Sequence, residues 1–256
     1  MDKELIDDIS ATSYTSRVTI DNPKNIDTCI SLKTKTNARI CVGRAADRFK
    51  TDTLLRFRAD HAVAVDTVWA YVDETIIDEM NFVKVQTLIT DKEEYITRPD
   101  LGRCFSKETI AEIKSKCISN PLIQIIVADG LSARAIDANV KEIYSDISKA
   151  VIAKGYKLGT PIFVKYGRVA TMDKISEALN ATVTVLLVGE RPGLATDESM
   201  SCYMAYEASS LKPESQRTVV SNIHKNGTPA VEAAVQIVNL IDILLREKIS
   251  GVGLKI

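Results

Sequence analysis

Three short apolar runs rich in β-branched residues recur in the second half of the chain, each followed by a glycine. They are LIQIIVADG at 122–130, PIFVKYG at 161–167 and TVTVLLVG at 182–189. Between them, apolar residues repeat at helical spacing from Ala133 to Lys154 and from Met172 to Leu179. Continuous apolar strands that alternate with amphipathic helices are typical of a parallel sheet with helices on both faces. We therefore expect an α/β fold, with a Rossmann-like three-layer domain at 121–256.

The first part of the chain has a different pattern, and Asn120-Pro121 interrupts a helical repeat between the two parts. Apolar and charged residues at helical spacing predict helices at Leu54–Trp69 and Lys107–Cys117. A short strand is predicted at Val83–Ile89. Residues 1–120 are therefore expected to form a mostly helical N-terminal region.

The last predicted element is a long helix near the C-terminus. Thr228 is a good N-cap residue, Pro229 suits the first helical position, and apolar residues then repeat at helical spacing toward Gly251.

Composition excludes several classes of protein. Lys and Arg total 33 against 34 for Asp and Glu, and the two signs are interspersed, so the sequence predicts no binding to nucleic acid. No apolar run approaches the roughly 20 residues that a membrane helix needs. The five cysteines form no CxxC pair and the two histidines are far apart, so we predict a reduced cytoplasmic protein without a metal site.

The glycine-containing turns after the apolar runs are the candidate ligand-binding loops, because α/β sheets bind ligands beyond the carboxyl ends of their strands. They span 129–132, 166–169 and 189–193. Ordinary turns between strands and helices have the same appearance, so the loops alone do not identify a ligand. The sequence contains no GxGxxG after a strand, no GxxxxGK[ST] and no recognisable Ser-His-Asp arrangement, so no catalytic residue is predicted.

Eight ordered segments resemble the small subunit of ethanolamine ammonia-lyase, and the resemblance extends from about residue 37 to the C-terminus. The segments are CVGRA at 41–45, LLRFRADH at 54–61 followed by DTV at 66–68, TRPDLGR at 97–103, DGLSARAI at 129–136, GTPIFVKYGRV at 159–169, LLVGERPGL at 186–194, SCY at 201–203 and SNIHKNGTPAVEAA at 221–234.

The resemblance implies a carbon-nitrogen lyase of two kinds of subunit that depends on adenosylcobalamin. In this family six large and six small chains assemble, and the cofactor lies between the two kinds of chain. The large subunit binds ethanolamine, which a radical mechanism converts to acetaldehyde and ammonia. The small subunit is expected to contribute part of the cobalamin pocket and no catalytic acid or base, since the cofactor performs the difficult chemistry.

Five residues are implied as cofactor contacts. Val169 and Glu190 match the family's motifs and lie on the predicted loops. Val219 stands where family members have cysteine, so only a backbone or van der Waals contact is expected there. Arg168 and Arg191 are either ligands for corrin amides and the nucleotide tail or ordinary solvated arginines.

Three further features have simpler interpretations. Asn222-Ile223-His224 and Gly227 form NxHxxG, close to the DxHxxG pattern in which histidine ligates cobalt, but Asn222 is neutral and cannot replace the carboxylate that orients such a histidine. We therefore predict that His224 is not a metal ligand. Cys202 is expected to be a packed small residue. The charged residues of TRPDLGR either face the large subunit or are solvated.

A second hypothesis is a stand-alone Rossmann-like protein that binds another small ligand, for which the same loops would suffice. The resemblance implies a bacterial cytoplasmic location. Enclosure in an ethanolamine-utilisation microcompartment is a further hypothesis, for which only MDKELIDDI at 1–9 could begin an encapsulation helix.

Overall fold

The computed structural model describes Tyr14 and residues 17–255. The chain divides into two compact units. One comprises the described residues up to Asp66 together with 193–196, and the other comprises 67–192 together with 197 onward. The segment MDKELIDDI, considered above as an encapsulation helix, lies outside the described residues.

The described part of the first unit contains one helix, a small hairpin and most of a second helix, whose last three residues belong to the second unit. Helix α1 spans Ile26–Lys33 and begins at Asn25, whose side-chain oxygen accepts a hydrogen bond from the Thr28 amide at 2.9 Å. Strands β1 (Arg44–Ala45) and β2 (Arg48–Phe49) pair antiparallel. Helix α2 spans Thr51–Trp69, which confirms the helix predicted from Leu54.

The second unit is built on a six-stranded sheet with the order β3-β5-β4-β6-β7-β8. The strands are β3 Val83–Gln86, β4 Ile123–Ala128, β5 Ile162–Lys165, β6 Val183–Gly189, β7 Met200–Tyr206 and β8 Thr218–Ile223. Strands β3, β5, β4 and β6 are parallel, whereas β7 and β8 continue the sheet antiparallel. The α/β class is confirmed, and the sheet is mixed rather than wholly parallel.

Helices cover both faces of this sheet. They are α3 Glu74–Glu79, α4 Lys92–Thr97, α5 Lys107–Lys116, α6 Ala133–Ala153, α7 Thr171–Leu179 and α8 Ala230–Glu247. Along β4, Ile125 and Val127 belong to the core cluster beneath α6 and α8, whereas Ile126 belongs to the cluster beneath α5 and α7. Both faces of β4 are therefore buried, which explains its uninterrupted apolar sequence. Burial of each such isoleucine side chain stabilises the folded state by roughly 1.5–3 kcal/mol relative to leaving it exposed to water.

Two sequence expectations differ from the structure. Residue 120, where we placed a boundary, lies inside the second unit, because β3 pairs with β5 and joins residues 83–86 to the main sheet. The last helix begins at Ala230 with Pro229 as its N-cap residue. Thr228 does not cap it, because the backbone of Thr228 is hydrogen-bonded to Asn222 and His224 in the preceding turn.

None of the helices in residues 17–255 is both long enough and apolar enough to cross a lipid bilayer.

Candidate functional site

The loops that follow β4, β5 and β6 lie together at one edge of the sheet. The amide of Leu131 donates a hydrogen bond to the Gly189 carbonyl at 2.9 Å, which joins the loops after β4 and β6. The amide of Asp129 donates to the Val164 carbonyl at 3.3 Å, next to the loop after β5. Because β4, β5 and β6 are parallel, their carboxyl ends meet at this edge.

Asp129 holds the loop after β5. Its carboxylate accepts hydrogen bonds from the amides of Tyr166 at 2.8 Å and Gly167 at 2.9 Å. Tyr166 has a φ of +57°, and a Cβ on Gly167 would lie 2.7 Å from the Cβ of Ala128. Burial raises the pKa of Asp129, and the charge of Lys92 and the amide donors oppose that rise. The loop is thus fixed by a buried carboxylate and by close packing.

Arg168 is held against Tyr95. One guanidinium nitrogen donates to the Tyr95 carbonyl at 2.7 Å, and the guanidinium carbon lies 4.1 Å from the centre of the Tyr95 ring. The Nε of Arg168 is buried and has no hydrogen-bond partner within the described chain. A buried donor without an acceptor costs roughly 1–3 kcal/mol, which the other contacts of Arg168 with Tyr95 must offset.

A cleft of about 270 Å³ opens beside this loop. The lining residues come from four parts of the chain and are Arg103, Arg168, Val169, Ala170, Tyr203, Glu214, Arg217 and Val219. Three of the five expected cofactor contacts, Arg168, Val169 and Val219, therefore line one cleft. Val219 on β8 is the register partner of Tyr203 on β7, so the two antiparallel strands form one wall.

Glu190 is linked to this cleft by a hydrogen bond from Tyr203, which lines it. The Tyr203 hydroxyl donates to a Glu190 carboxylate oxygen at 2.9 Å. Burial, together with the negative charge of Glu190, raises the pKa of Tyr203 to about 12. The hydroxyl therefore remains protonated near neutral pH and keeps the carboxylate oriented. Arg191 is exposed and is not among the residues that line the cleft.

One residue of the cleft lining, Arg217, belongs to a buried ion pair. Arg217 donates to Asp173 at 2.6 Å, and the side chains of both are less than a tenth exposed. Burial raises the pKa of Asp173, and the charge of Arg217 opposes that rise. Glu214 lies 3.4 Å from Arg217 and 3.7 Å from Arg103. The cleft thus combines apolar surface with guanidinium and carboxylate groups, as ligand-binding clefts commonly do.

His224 is satisfied within its own turn. Its Nδ1 accepts a hydrogen bond from the Asn226 amide at 3.3 Å, which places the ring proton on Nε2, 2.9 Å from the Asn222 side-chain oxygen. A Cβ on Gly227 would lie 2.7 Å from Nε2. The NxHxxG spacing is therefore explained by a compact turn. No group of three or more metal-ligating side chains occurs among the described residues.

The pH dependence of stability tests this role of His224. Burial lowers the pKa of His224 in the folded state. The unfolded chain therefore binds a proton at this histidine more readily than the folded chain does. The free energy of unfolding should therefore decrease as the pH falls below about 6.5, the usual histidine pKa. We expect urea unfolding at pH 7.5 and pH 5 to show a smaller loss in His224→Gln than in the wild type. Equal losses in the two proteins would contradict the assignment.

Cys202 is fully buried in β7, and burial raises the pKa of its thiol. This confirms the expectation that it is a packed small residue. In TRPDLGR, Arg98 and Asp100 form an exposed ion pair, whereas Arg103 lines the cleft.

A family model for the light chain of ethanolamine ammonia-lyase matches residues 26–255. The chain belongs to this family. The family is that of one subunit of a lyase, as the resemblance of the eight segments implied.

Curated small subunits of ethanolamine ammonia-lyase are similar over most of their length. The protein of Clostridium acetobutylicum is 67% identical over 225 residues, which cover 88% of this chain and 93% of the relative. The protein of Clostridium tetani is 50% identical over 252 residues, or 98% of this chain and 85% of the relative. The protein of Listeria monocytogenes is 47% identical over 250 residues, with the same two coverages.

Within this light-chain fold, sequence reasoning missed three residues of the candidate site. Tyr95 holds Arg168, Tyr203 orients Glu190, and Arg217 forms the buried pair with Asp173. Tyr203 lies in SCY, one of the segments that carried the resemblance, and that segment was the available signal. Nothing in the local sequence distinguishes Tyr95 or Arg217 from solvated residues.

Proposed function

We propose that this chain is the small subunit of an adenosylcobalamin-dependent ethanolamine ammonia-lyase and forms one wall of the cobalamin pocket. When bound, adenosylcobalamin supplies the radical by which ethanolamine is converted to acetaldehyde and ammonia. The observation that carries the proposal is the convergence of Arg168, Val169 and Val219 on one cleft, with Glu190 joined to it through Tyr203.

The chemistry of the cleft fits a corrin ring. A corrin carries amide side chains at its rim and an apolar face. The Glu190 carboxylate can accept from amide N–H groups, Arg168 can donate to amide oxygens, and Val169 and Val219 offer apolar surface. In this proposal Arg191, which is exposed, contacts the cofactor only from the outer edge of the loop.

The size of the cleft supports a partner. A cobalamin with its nucleotide tail is several times larger than the roughly 270 Å³ available, so this chain can cover only part of it. The large subunit is proposed to supply the remainder, in an assembly of six large and six small chains, and to bind ethanolamine. Val231 and Val235 lie on the same face of α8 and are 49% and 59% exposed, as expected of a chain with a protein partner.

The same proposal assigns a function to the parallel part of the sheet. The parallel strands β4, β5 and β6 would be used in the Rossmann-like manner, with the cofactor beyond their carboxyl ends. The loops proposed to contact the cofactor all belong to 121–256, and we propose that this range is the cobalamin-contacting part of the chain.

Reconstitution tests the proposal. We expect that this chain, co-expressed with an ethanolamine ammonia-lyase large subunit, forms acetaldehyde from ethanolamine only when adenosylcobalamin and both chains are present. Glu190→Ala should raise the half-saturating concentration of adenosylcobalamin about tenfold, because a hydrogen bond to a charged group is lost. Tyr203→Phe, which leaves the carboxylate but frees its orientation, should have a smaller effect in the same direction.

Glu142→Ala is the matched control, because Glu142 is exposed on α6 and is not part of the cleft lining. It should leave the cofactor dependence unchanged. A well-behaved chain that forms no complex and no active enzyme with such a large subunit would contradict the proposal and favour a stand-alone small-ligand-binding protein.

The proposed location is the bacterial cytoplasm, with enclosure in an ethanolamine-utilisation microcompartment. This rests on the family alone. A fluorescent reporter fused behind residues 1–20 should become punctate in cells that make the shell, and a diffuse signal there would exclude encapsulation by this segment.

A further inference from the structure

A lysine lies buried among tyrosines beside the loop after β5. Lys92 is only 3% exposed although it opens helix α4. Its ammonium nitrogen lies 5.3 Å from the ring centre of Tyr71, 5.4 Å from that of Tyr95 and 5.9 Å from that of Tyr166. It has no hydrogen-bond partner within the described chain. Three aromatic faces therefore replace the water that an ammonium group normally binds.

The position is costly for a cation, which argues for a specific role. Burial lowers the pKa of Lys92, and the nearby charges of Arg168 and Lys165 lower it further, whereas Asp129 raises it. The positive end of a helix dipole also disfavours a cation at the first helical position. A methionine or leucine could fill the same volume without these costs.

The groups around Lys92 are those that fix the cofactor-facing loop. Asp129 accepts hydrogen bonds from the amides of Tyr166 and Gly167. The Tyr95 hydroxyl donates to the Gly167 carbonyl at 2.9 Å, and the Tyr95 carbonyl accepts from Arg168. The ammonium group attracts both the Asp129 carboxylate and the ring faces of Tyr95 and Tyr166.

We propose that Lys92 is a positioning residue whose charge holds the loop at 166–169 in the conformation that presents Arg168 and Val169 to the cofactor. The proposal rests on the proposed function for its ligand, and it adds a residue from outside the cleft. Without this charge, Asp129 and the tyrosine rings stabilise the conformation of the loop less. The loop then presents Arg168 and Val169 less often, and the affinity for cobalamin falls.

Three substitutions separate charge from volume. Lys92→Met keeps the length of the side chain and removes the charge, and Lys92→Arg keeps the charge at every accessible pH. Lys165→Met is the matched control, because Lys165 lies at similar distances from the rings of Tyr71 and Tyr166 but is only half-buried. The measurement is the dissociation constant of cyanocobalamin, whose cobalt ligand does not titrate in this range, from the complex with the large subunit, determined by equilibrium dialysis from pH 7 to pH 10.

The expected results are specific to a charged Lys92. The wild type and Lys165→Met should both bind most tightly near pH 7 and more weakly as the pH rises, because burial causes Lys92 to lose its proton at a lower pH than an exposed lysine. The weakening should begin at a higher pH in Lys165→Met, because the charge of Lys165 lowers the pKa of Lys92. Lys92→Met should bind about tenfold more weakly at pH 7, with no such alkaline loss. Lys92→Arg should retain tight binding across the range.

Each other outcome decides between the two proposals. If the wild-type complex binds no cyanocobalamin, the proposed function fails. If it binds, but Lys92→Met has the wild-type affinity, the role of Lys92 is overturned. If Lys92→Met does not fold, the comparison rests on Lys92→Arg, and an alkaline loss in that variant equal to the wild-type loss overturns the role.

Discussion

Replacing Asp129 with asparagine should reduce the free energy of unfolding by about 3 kcal/mol. Asparagine has nearly the same shape but only one acceptor oxygen. One of the two amides that Asp129 binds, those of Tyr166 and Gly167, would then face an NH₂ group. The buried ammonium of Lys92 would also lose a negative charge that favours its protonated form. Urea unfolding of the full chain, followed by circular dichroism, measures the loss.

Asp100→Asn is the appropriate control for this substitution. Asp100 also accepts two hydrogen bonds, in its case from Arg98, but both side chains are exposed. Solvent screens such a pair and replaces its hydrogen bonds, so the midpoint of unfolding should hardly change. Equal effects of the two substitutions would show that Asp129 does not hold the loop as described.

Replacing Gly189 with alanine should be similarly damaging, for a steric reason. The added Cβ would lie 2.0 Å from the Ser132 carbonyl oxygen and 2.6 Å from that of Asp129. Both are backbone atoms, so the strand end and the loop after β4 would have to separate. The expected loss is about 3 kcal/mol. Because Glu190 follows directly, the half-saturating concentration of adenosylcobalamin should also rise in the reconstituted enzyme.

Gly193→Ala provides the matched control within the same loop. A Cβ on Gly193 meets nothing closer than 3.6 Å, which is an ordinary van der Waals distance. Thermal unfolding of the two variants should therefore differ widely, with Gly193→Ala close to the wild type. A Gly189→Ala protein of wild-type stability would mean that the strand end tolerates a wider spacing than the structure has.

The proposed site was only partly predictable. The sequence identified the loops after β4, β5 and β6, because an apolar strand followed by glycine and a charged residue is a local pattern. It also supplied Val169, Glu190 and Val219 through the family's motifs. It did not indicate that β7 and β8 form a wall of the cleft, because SCYMAY and TVVSNI are short and mixed in polarity. It gave no sign of Lys92, since KEEY reads as a solvated helix start.

The sequence by itself determined which segments are strands and helices in the parallel part of the sheet. Strands buried on both faces require continuous apolar residues, and helices that cover them require apolar residues at helical spacing. Tertiary structure alone decided which distant side chains meet. Tyr95 contacts Arg168, and Tyr203 contacts Glu190, only because strand order and pairing bring those segments together. Lys92 is buried for the same reason. Its environment is set by packing between segments that are distant in the sequence, and a local sequence pattern does not reveal such packing.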